Sequence, residues 1–175
     1  MSSNDLIDPR RSEPAYDANE RDMLEGWLNF HRVTLVIKCE GLDDAQRNLR
    51  PIPTSSLSLH GLVRHLSEVE HYWTSIVLMG SSRDEGIYCD DAAPDADFDA
   101  TESSTFESDL AIFHEQCRLA DARMAQASLE SLSIANHHGQ PITVRWILTH
   151  LIEEYARHNG HADLIRELID GAVGC

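Results

Sequence analysis

The chain has 175 residues, a formal net charge of −16 and a hydrophobic content of 42%. This length suffices for one domain with its own core, and the composition is typical of a globular protein. The acidic balance argues against nucleic-acid binding and against docking on anionic membranes, because both need clustered Lys and Arg. No apolar run approaches the ~20 residues that span a bilayer, and the first residues lack the apolar region of a secretory signal.

Apolar residues that recur every three or four positions predict four long helices. These run from about Glu20 to Cys39, from Ser56 or Ser58 to Met79, from Thr105 to Ala127, and from Val144 to Ile169. Gly41 and Gly171 are the expected stop signals of the first and last helices. We predict a flexible arm over 1–18, a helical domain over 19–171 and a tail over 172–175.

The connecting segments differ in character. Residues 41–56 predict a short turn of helix and a proline-marked loop, and residues 131–141 predict a connector with a short extended piece. Residues 80–100 are rich in Gly and Asp without periodicity, so we predict a mobile acidic loop that covers the mouth of a site. Together the elements predict an all-α fold, a four-helix bundle. The four scattered cysteines form no CxxC motif and favour free thiols in a reducing, cytoplasmic setting.

The last predicted helix carries metal-ligand types at helical spacing. His150, Glu154 and His158 are four residues apart, and His161 lies three further on. Neighbours at this spacing can share an ion, but His150 and His158 cannot, since eight residues rise ~12 Å. Three pairs therefore stay open: His150/Glu154, Glu154/His158 and His158/His161. Each pair needs a third ligand from another helix, and His65, on the apolar stripe of the second helix, is a candidate.

Other interpretations of these residues stand beside the metal hypothesis. The same face could be a solvated helix surface whose Glu–His pairs add only a few tenths of a kcal/mol. Glu68 and His71 form a Glu-x-x-His pair, as in di-iron bundles, but the sequence has no second such pair. The stretch "HHGQ" at 137–140 precedes a proline and predicts a turn rather than a ligand set.

Three stretches resemble a known family. "WLNFHRVTLVIKCEGLDDAQ" (27–46), "GLVRHLSEVEHYW" (61–73) and "RWILTHLIEEYARHNGHADLIRELIDG" (145–171) resemble the DinB-like four-helix-bundle superfamily. The branch they resemble most is the one related to mycothiol-dependent maleylpyruvate isomerase. The resemblance covers about residues 20–171, and the acidic loop is the poorest match.

The resemblance implies a divalent metal, zinc or alternatively nickel, with one ligand from the second helix and two from the last. Carried onto this sequence, the ligands are His65, Glu154 and His158. Many relatives have His where this chain has Glu154, and the isomerase branch has Glu there. Three protein ligands leave an open position, which is typical of a catalytic site.

The residues that follow the ligand pair are expected near the metal. His161, Arg157 and Asn159 could orient a ligand or bind a substrate carboxylate, or they could be structural. Gly160 costs ~1 kcal/mol against Ala inside a helix, so it could admit a neighbouring helix or a ligand.

The resemblance implies a metal-dependent S-transferase or isomerase that joins a low-molecular-weight thiol of the mycothiol type to small electrophiles in detoxification. The isomerase relatives carry an additional C-terminal domain, whereas this sequence ends soon after the last helix, so maleylpyruvate isomerisation itself is not expected. One alternative is a non-catalytic metal- or small-molecule-binding protein of stress response, and another is a structural helical domain. A homodimer is expected, since related bundles often dimerise.

Overall fold

The computed structural model describes residues 8–82, 86–99 and 101–174, apart from the side chain of Glu102. Over these residues the fold is all-α, as predicted, and only isolated β-bridges occur. The helices are α1 (Glu20–Cys39), α2 (Asp44–Asn48), α3 (Leu59–His71), α4 (Ala96–Asp99), α5 (Phe106–Met124) and α6 (Val144–Asp170). A π-helix, Tyr72–Leu78, continues α3, and a 3-10 helix, Thr101–Ser103, follows α4.

Side-chain caps fix where the four long helices begin. The caps are Asn19, Ser58, Thr105 and Thr143, and each side chain accepts a hydrogen bond from a backbone N–H three residues later. Such a bond satisfies one of the donors that the first helical turn leaves unpaired. Gly171 ends α6 in the left-handed region, with φ of +80°, where glycine carries no Cβ penalty.

The second predicted helix is continuous but changes pitch. The sequence predicted one helix to about Met79, whereas the α-helical part ends at His71 and a π-helix follows. The carbonyls of Val77 and Leu78, near its end, accept hydrogen bonds from Ala135 and Ile134 in the connector before α6. Apolar periodicity alone does not distinguish these two pitches over seven residues.

The long helices bury a common core. α1 packs chiefly against α6, and α3 packs against both α5 and α6. The core also contains an ion pair: the Arg32 guanidinium binds both oxygens of Glu70 at 2.7 and 2.8 Å. The Tyr155 hydroxyl donates to the same carboxylate at 2.9 Å, so the buried charge is fully hydrogen-bonded.

The N-terminal residues that the structure describes lie against the bundle. Arg10 pairs with Glu40 at 2.7 Å, and the Arg11 guanidinium lies 5.0 Å from the centre of the Phe30 ring. Residues 1–7 of the predicted arm lie outside the described residues. None of the described helices combines the length and the apolar character needed to cross a membrane.

The acidic segment contains more structure than the predicted loop. Residues 96–99 form the one-turn helix α4, which packs on α3. A Cβ at Gly61 would lie 3.1 Å from the Phe98 ring, so the glycine permits this close approach. Residues 83–85 and 100 of the predicted loop lie outside the described residues.

Candidate metal centre

Two helices bring three ligand-type side chains together. One ligand atom each from His65 on α3 and from Glu154 and His158 on α6 lie within 4.8 Å of one another. Atoms bound to one tetrahedral zinc ion at ~2.1 Å lie roughly 3.4 Å apart. The distance of 3.5 Å between His158 Nε2 and Glu154 Oε2 already matches that spacing. The complete set meets only the wider limit of 4.8 Å, so side-chain rotations would have to draw it together around an ion.

The three side chains suit a divalent cation chemically. Two imidazoles and one carboxylate are a mixed donor set that fits zinc or nickel. The His158 side chain is 9% exposed, that of Glu154 14% and that of His65 23%. His65 is therefore half-buried, rather than fully buried as its apolar stripe predicted. All three side chains are thus largely buried, and His65 is the most exposed of them.

A second acidic group lies beside the first and shares Glu154. It consists of His150, Glu153 and Glu154, all on α6. The His150 ring is held by aromatic contacts, stacked at 4.8 Å on Trp146 and edge-on at 4.6 Å to Trp73. The members of this second group come from a single helix, whereas the first group joins two helices and is better buried. The geometry therefore favours Glu154 and His158 over His150 and Glu154 as the ligand pair.

The third predicted pair, His158 and His161, is also in contact. Their Nδ1 atoms are 3.4 Å apart, so His161 approaches the ring nitrogen of His158 that faces away from Glu154. Burial, together with the charges of His158 and Arg157, lowers the pKa of His161 and so favours its neutral form. His161 therefore neighbours the first group rather than replacing one of its members.

The ionisation of Glu154 is set by its neighbours. The hydrogen bond with His158 and the positive charge of Arg157 lower its pKa, while burial acts in the opposite direction. Arg157 lies 3.3 Å from Glu154 Oε1 and also pairs with Glu153. Glu154 is consequently a carboxylate at neutral pH, which is the form that binds a cation.

Arg157 and Asn159 are not placed as free substrate-binding groups. The Arg157 guanidinium is paired with the two glutamates of its own helix and is half-exposed. Asn159 lies on the other side of α6, where its amide nitrogen donates to the His31 carbonyl of α1 at 3.0 Å. A Cβ at Gly160 would meet no atom within 4 Å, so no neighbour requires glycine there.

A residue that sequence reasoning missed holds His65 in place. Asp97 is 4% exposed, and its Oδ2 lies 2.7 Å from His65 Nδ1. Its Oδ1 accepts the Phe98 N–H at 2.9 Å, and the Phe98 ring stacks on His65 at 4.7 Å. Because a carboxylate only accepts hydrogen bonds, Nδ1 donates in this contact, and the tautomer that it favours in a neutral imidazole has its lone pair on Nε2. Histidines that ligate metals are commonly oriented in this way.

Two side chains of α3 anchor the segment that carries Asp97. Arg64 donates to the carbonyls of Asp97 at 2.9 Å and Ala96 at 3.0 Å, and its guanidinium lies 4.0 Å from the centre of the Tyr88 ring. Glu68 accepts the Tyr88 N–H at 2.8 Å. Glu68 therefore binds the backbone of this segment. This contact gives a structural role to Glu68, the first residue of the Glu-x-x-His pair. The predicted role of the segment as a lid stays a prediction.

A buried carboxylate on α5 completes this anchor. Asp109, whose side chain is 1% exposed, contacts His60 at 2.7 Å and Arg64 at 3.1 Å, and accepts the Tyr88 hydroxyl at 3.0 Å. Burial opposes its ionisation, but the hydrogen bonds from Ser104, His60 and Arg64 outweigh that effect and lower its pKa. Asp109 thus holds α3, α5 and the acidic segment in one arrangement.

A cavity of about 700 Å³ opens beside His65. Its walls are α3 with the following π-helix on one side and residues 86–97 on the other, and it has the volume of a small-molecule site. The lining residues are His65, Glu68, Val69, Tyr72, Trp73, Ile76, Gly86, Cys89, Asp90, Asp91, Ala92, Pro94 and Asp97.

The described residues thus form an all-α protein in which ligand-type side chains of two helices converge beside a cavity. The Mycothiol-S-transferase family matches residues 23–171, and the chain belongs to this family. The match confirms the resemblance to mycothiol-related enzymes that residues 61–73 and 145–171 suggested. No curated protein gives a significant match to the chain.

Proposed function

We propose that this protein is a metal-dependent S-transferase of the DinB-like four-helix-bundle type, which joins a mycothiol-type thiol to small electrophiles. The observation that carries the proposal is the convergence of His65 with Glu154 and His158 in a chain that belongs to the Mycothiol-S-transferase family. Zinc is the expected cation and nickel the alternative, because both accept imidazole and carboxylate ligands.

The ligand residues and Asp97 have different roles in this proposal. His65, Glu154 and His158 would hold the cation, with one negative charge among them, and His65 also lines the cavity. A bound divalent cation would lower the pKa of an incoming thiol below its usual ~8.5. Asp97 keeps the His65 ring in the orientation and tautomer that a ligand needs.

The reaction needs little more than positioning. The thiol loses its proton to solvent, sulfur forms a bond to the electrophilic carbon, and the leaving group departs with the electron pair of the broken bond. The cavity beside His65 supplies walls that would hold the electrophile next to the thiol, and well-oriented positioning can contribute about 7–11 kcal/mol.

Metal analysis of the purified protein tests the site. We expect about one equivalent of zinc or nickel in the wild type and a trace only in His65→Ala and His158→Ala. His114→Ala is the matched control, since His114 is exposed on α5, away from the ligand group, and should retain the metal. Equal metal contents in all four proteins would contradict the proposed site.

Incubation of the metal-loaded protein with mycothiol and an alkyl halide then tests the activity. Conjugate formation above the uncatalysed rate is expected in the wild type and in His114→Ala, but not in the two ligand variants. Metal binding without conjugate would instead indicate a non-catalytic binding protein of the stress-response kind.

The remaining expectations concern the setting in which the protein works. A homodimer is proposed, and the exposed Leu164 and Leu168 of α6 are apolar surface that a partner could cover. Light scattering of wild type and Leu164→Glu tests it, since a monomer in the wild type would contradict it. A detoxifying role in the cytoplasm is likewise part of the proposal.

A further inference from the structure

The cavity beside His65 has two contrasting walls. The wall from α3 and the π-helix is apolar and aromatic, with Val69, Tyr72, Trp73 and Ile76. Trp73 is 7% and Ile76 is 5% exposed, and the Trp73 ring is braced at 5.2 Å by Trp146. This wall is therefore firm, and it suits a flat or branched hydrocarbon group.

Carboxylates dominate the polar part of the lining. Glu68 comes from α3, and Asp90, Asp91 and Asp97 come from the facing segment. Among the described residues that line the cavity, no Lys or Arg accompanies them. The guanidinium of Arg64, on α3, does not line the cavity and is bound to Asp109 and to backbone carbonyls.

These carboxylates differ in their freedom to act on a ligand. Glu68 and Asp97 are held by the backbone and by His65, so their oxygens are largely satisfied. Asp90 accepts two backbone N–H groups at 2.8 Å. Asp91 is exposed at the rim of the cavity. An anionic ligand would have to pass the Asp91 carboxylate at this rim, which would repel it, whereas a neutral or cationic ligand would not be repelled.

We propose that this cavity selects the electrophile, and that it takes aromatic or branched alkyl electrophiles without negative charge, with Asp91 as the residue that discriminates by charge. The inference rests on the proposed S-transferase function and adds the substrate class. It differs from the expectation that Arg157 binds a substrate carboxylate, since Arg157 is paired with Glu153 and Glu154 and does not line the cavity.

The test uses para-substituted benzyl bromides that differ only in the charge of the distal group: a carboxamide, a trimethylammonium and a carboxylate. In each reaction the mycothiol sulfur forms the C–S bond, bromide leaves and the thiol proton goes to solvent. We expect kcat/KM for the neutral and cationic members to exceed that for the carboxylate by roughly tenfold or more at low salt. The ratio should shrink toward one as salt screens the rim.

Two variants test whether Asp91 causes the charge discrimination. Asp91→Lys should raise kcat/KM for the carboxylate member and lower the ratio at least several-fold. Asp95→Lys is the matched control, because Asp95 is exposed in the same segment but does not line the cavity, and it should leave the ratio close to the wild-type value. Equal effects of the two substitutions would show that net charge, and not this cavity, discriminates.

Failure of the inference and failure of the proposed function give different results. Turnover of all three bromides with equal kcat/KM, or a preference for the carboxylate, overturns the inference and leaves the S-transferase intact. Turnover of none above background overturns the S-transferase, and tryptophan-fluorescence binding of the corresponding unreactive benzyl alcohols then decides whether the cavity still discriminates by charge.

Discussion

Replacing Asp97 tests how the acidic segment serves the candidate metal centre. Its carboxylate is 4% exposed, contacts His65 Nδ1 at 2.7 Å and is fixed at its other oxygen by the Phe98 N–H. Loss of such a partner typically weakens metal binding about 10- to 100-fold, which corresponds to ~1.4–2.7 kcal/mol. We therefore expect Asp97→Ala to bind zinc 10- to 100-fold more weakly than wild type.

The assay is competition for zinc against a chromophoric chelator at fixed pH. Asp97→Asn should fall between the alanine variant and wild type, because its amide oxygen can still accept from Nδ1 but carries no charge. Asp99→Asn, an exposed neighbour in α4 that does not contact His65, is the control and should bind zinc as wild type does.

A purely structural role for Asp97 would give a different result. Thermal unfolding of the metal-free proteins separates the two roles. Loss of a purely structural residue would lower the melting temperature without selectively weakening metal binding. If Asp97→Ala retains wild-type zinc affinity within about twofold, the proposed role of Asp97 in orienting His65 for metal binding is refuted.

Three further predictions concern stability. Gly160→Ala should raise the free energy of unfolding by about 0.5–1 kcal/mol without changing activity, because a Cβ there meets open space. Urea unfolding measures the gain in stability. A loss of activity in this variant would indicate a functional role for the glycine. Asp109→Ala should cost about 3 kcal/mol or more in the same assay, because it leaves Arg64 and His60 buried without their carboxylate; a cost below ~1 kcal/mol would contradict that network. Burial raises the pKa of Cys39 to about 12 from 9.0. The folded state therefore keeps a proton that the unfolded chain releases, and stability should fall as pH rises from about 9 toward 12, more steeply in wild type than in Cys39→Ala. Parallel urea titrations across this range measure both slopes, and identical slopes would contradict the shift.

The sequence predicted the helices well because their signals are local. The apolar stripe, the caps and the stop at Gly171 all lie within a few residues of the ends that they define. The spacing of Glu154 and His158 is likewise visible along one helix, but it left three candidate pairs open, and the family resemblance selected this one. His65 could be paired with them only through the family resemblance, since nothing local states which helices will meet.

The contact of Asp97 with His65 could not be predicted from local sequence patterns. It is 32 residues from His65 and stands in an aperiodic acidic stretch, where each aspartate has the same appearance in the sequence. Its one distinguishing feature is the neighbouring Phe98, an aromatic residue in a segment otherwise poor in them. The contact depends on Gly61 and Arg64, which bring this segment onto α3.

The π-helix that follows α3 has a consequence for how this cavity can change. Each residue of a π-helix turns the chain by less than the ~100° of an α-helix, and Tyr72, Trp73 and Ile76 project into the cavity from this looser turn. Deleting one residue from 72–78 would restore α-helical pitch and rotate the later side chains out of phase with the earlier ones. A change of phase here would therefore reshape the cavity wall together with the part of the core that Trp73, Val77 and Leu78 form.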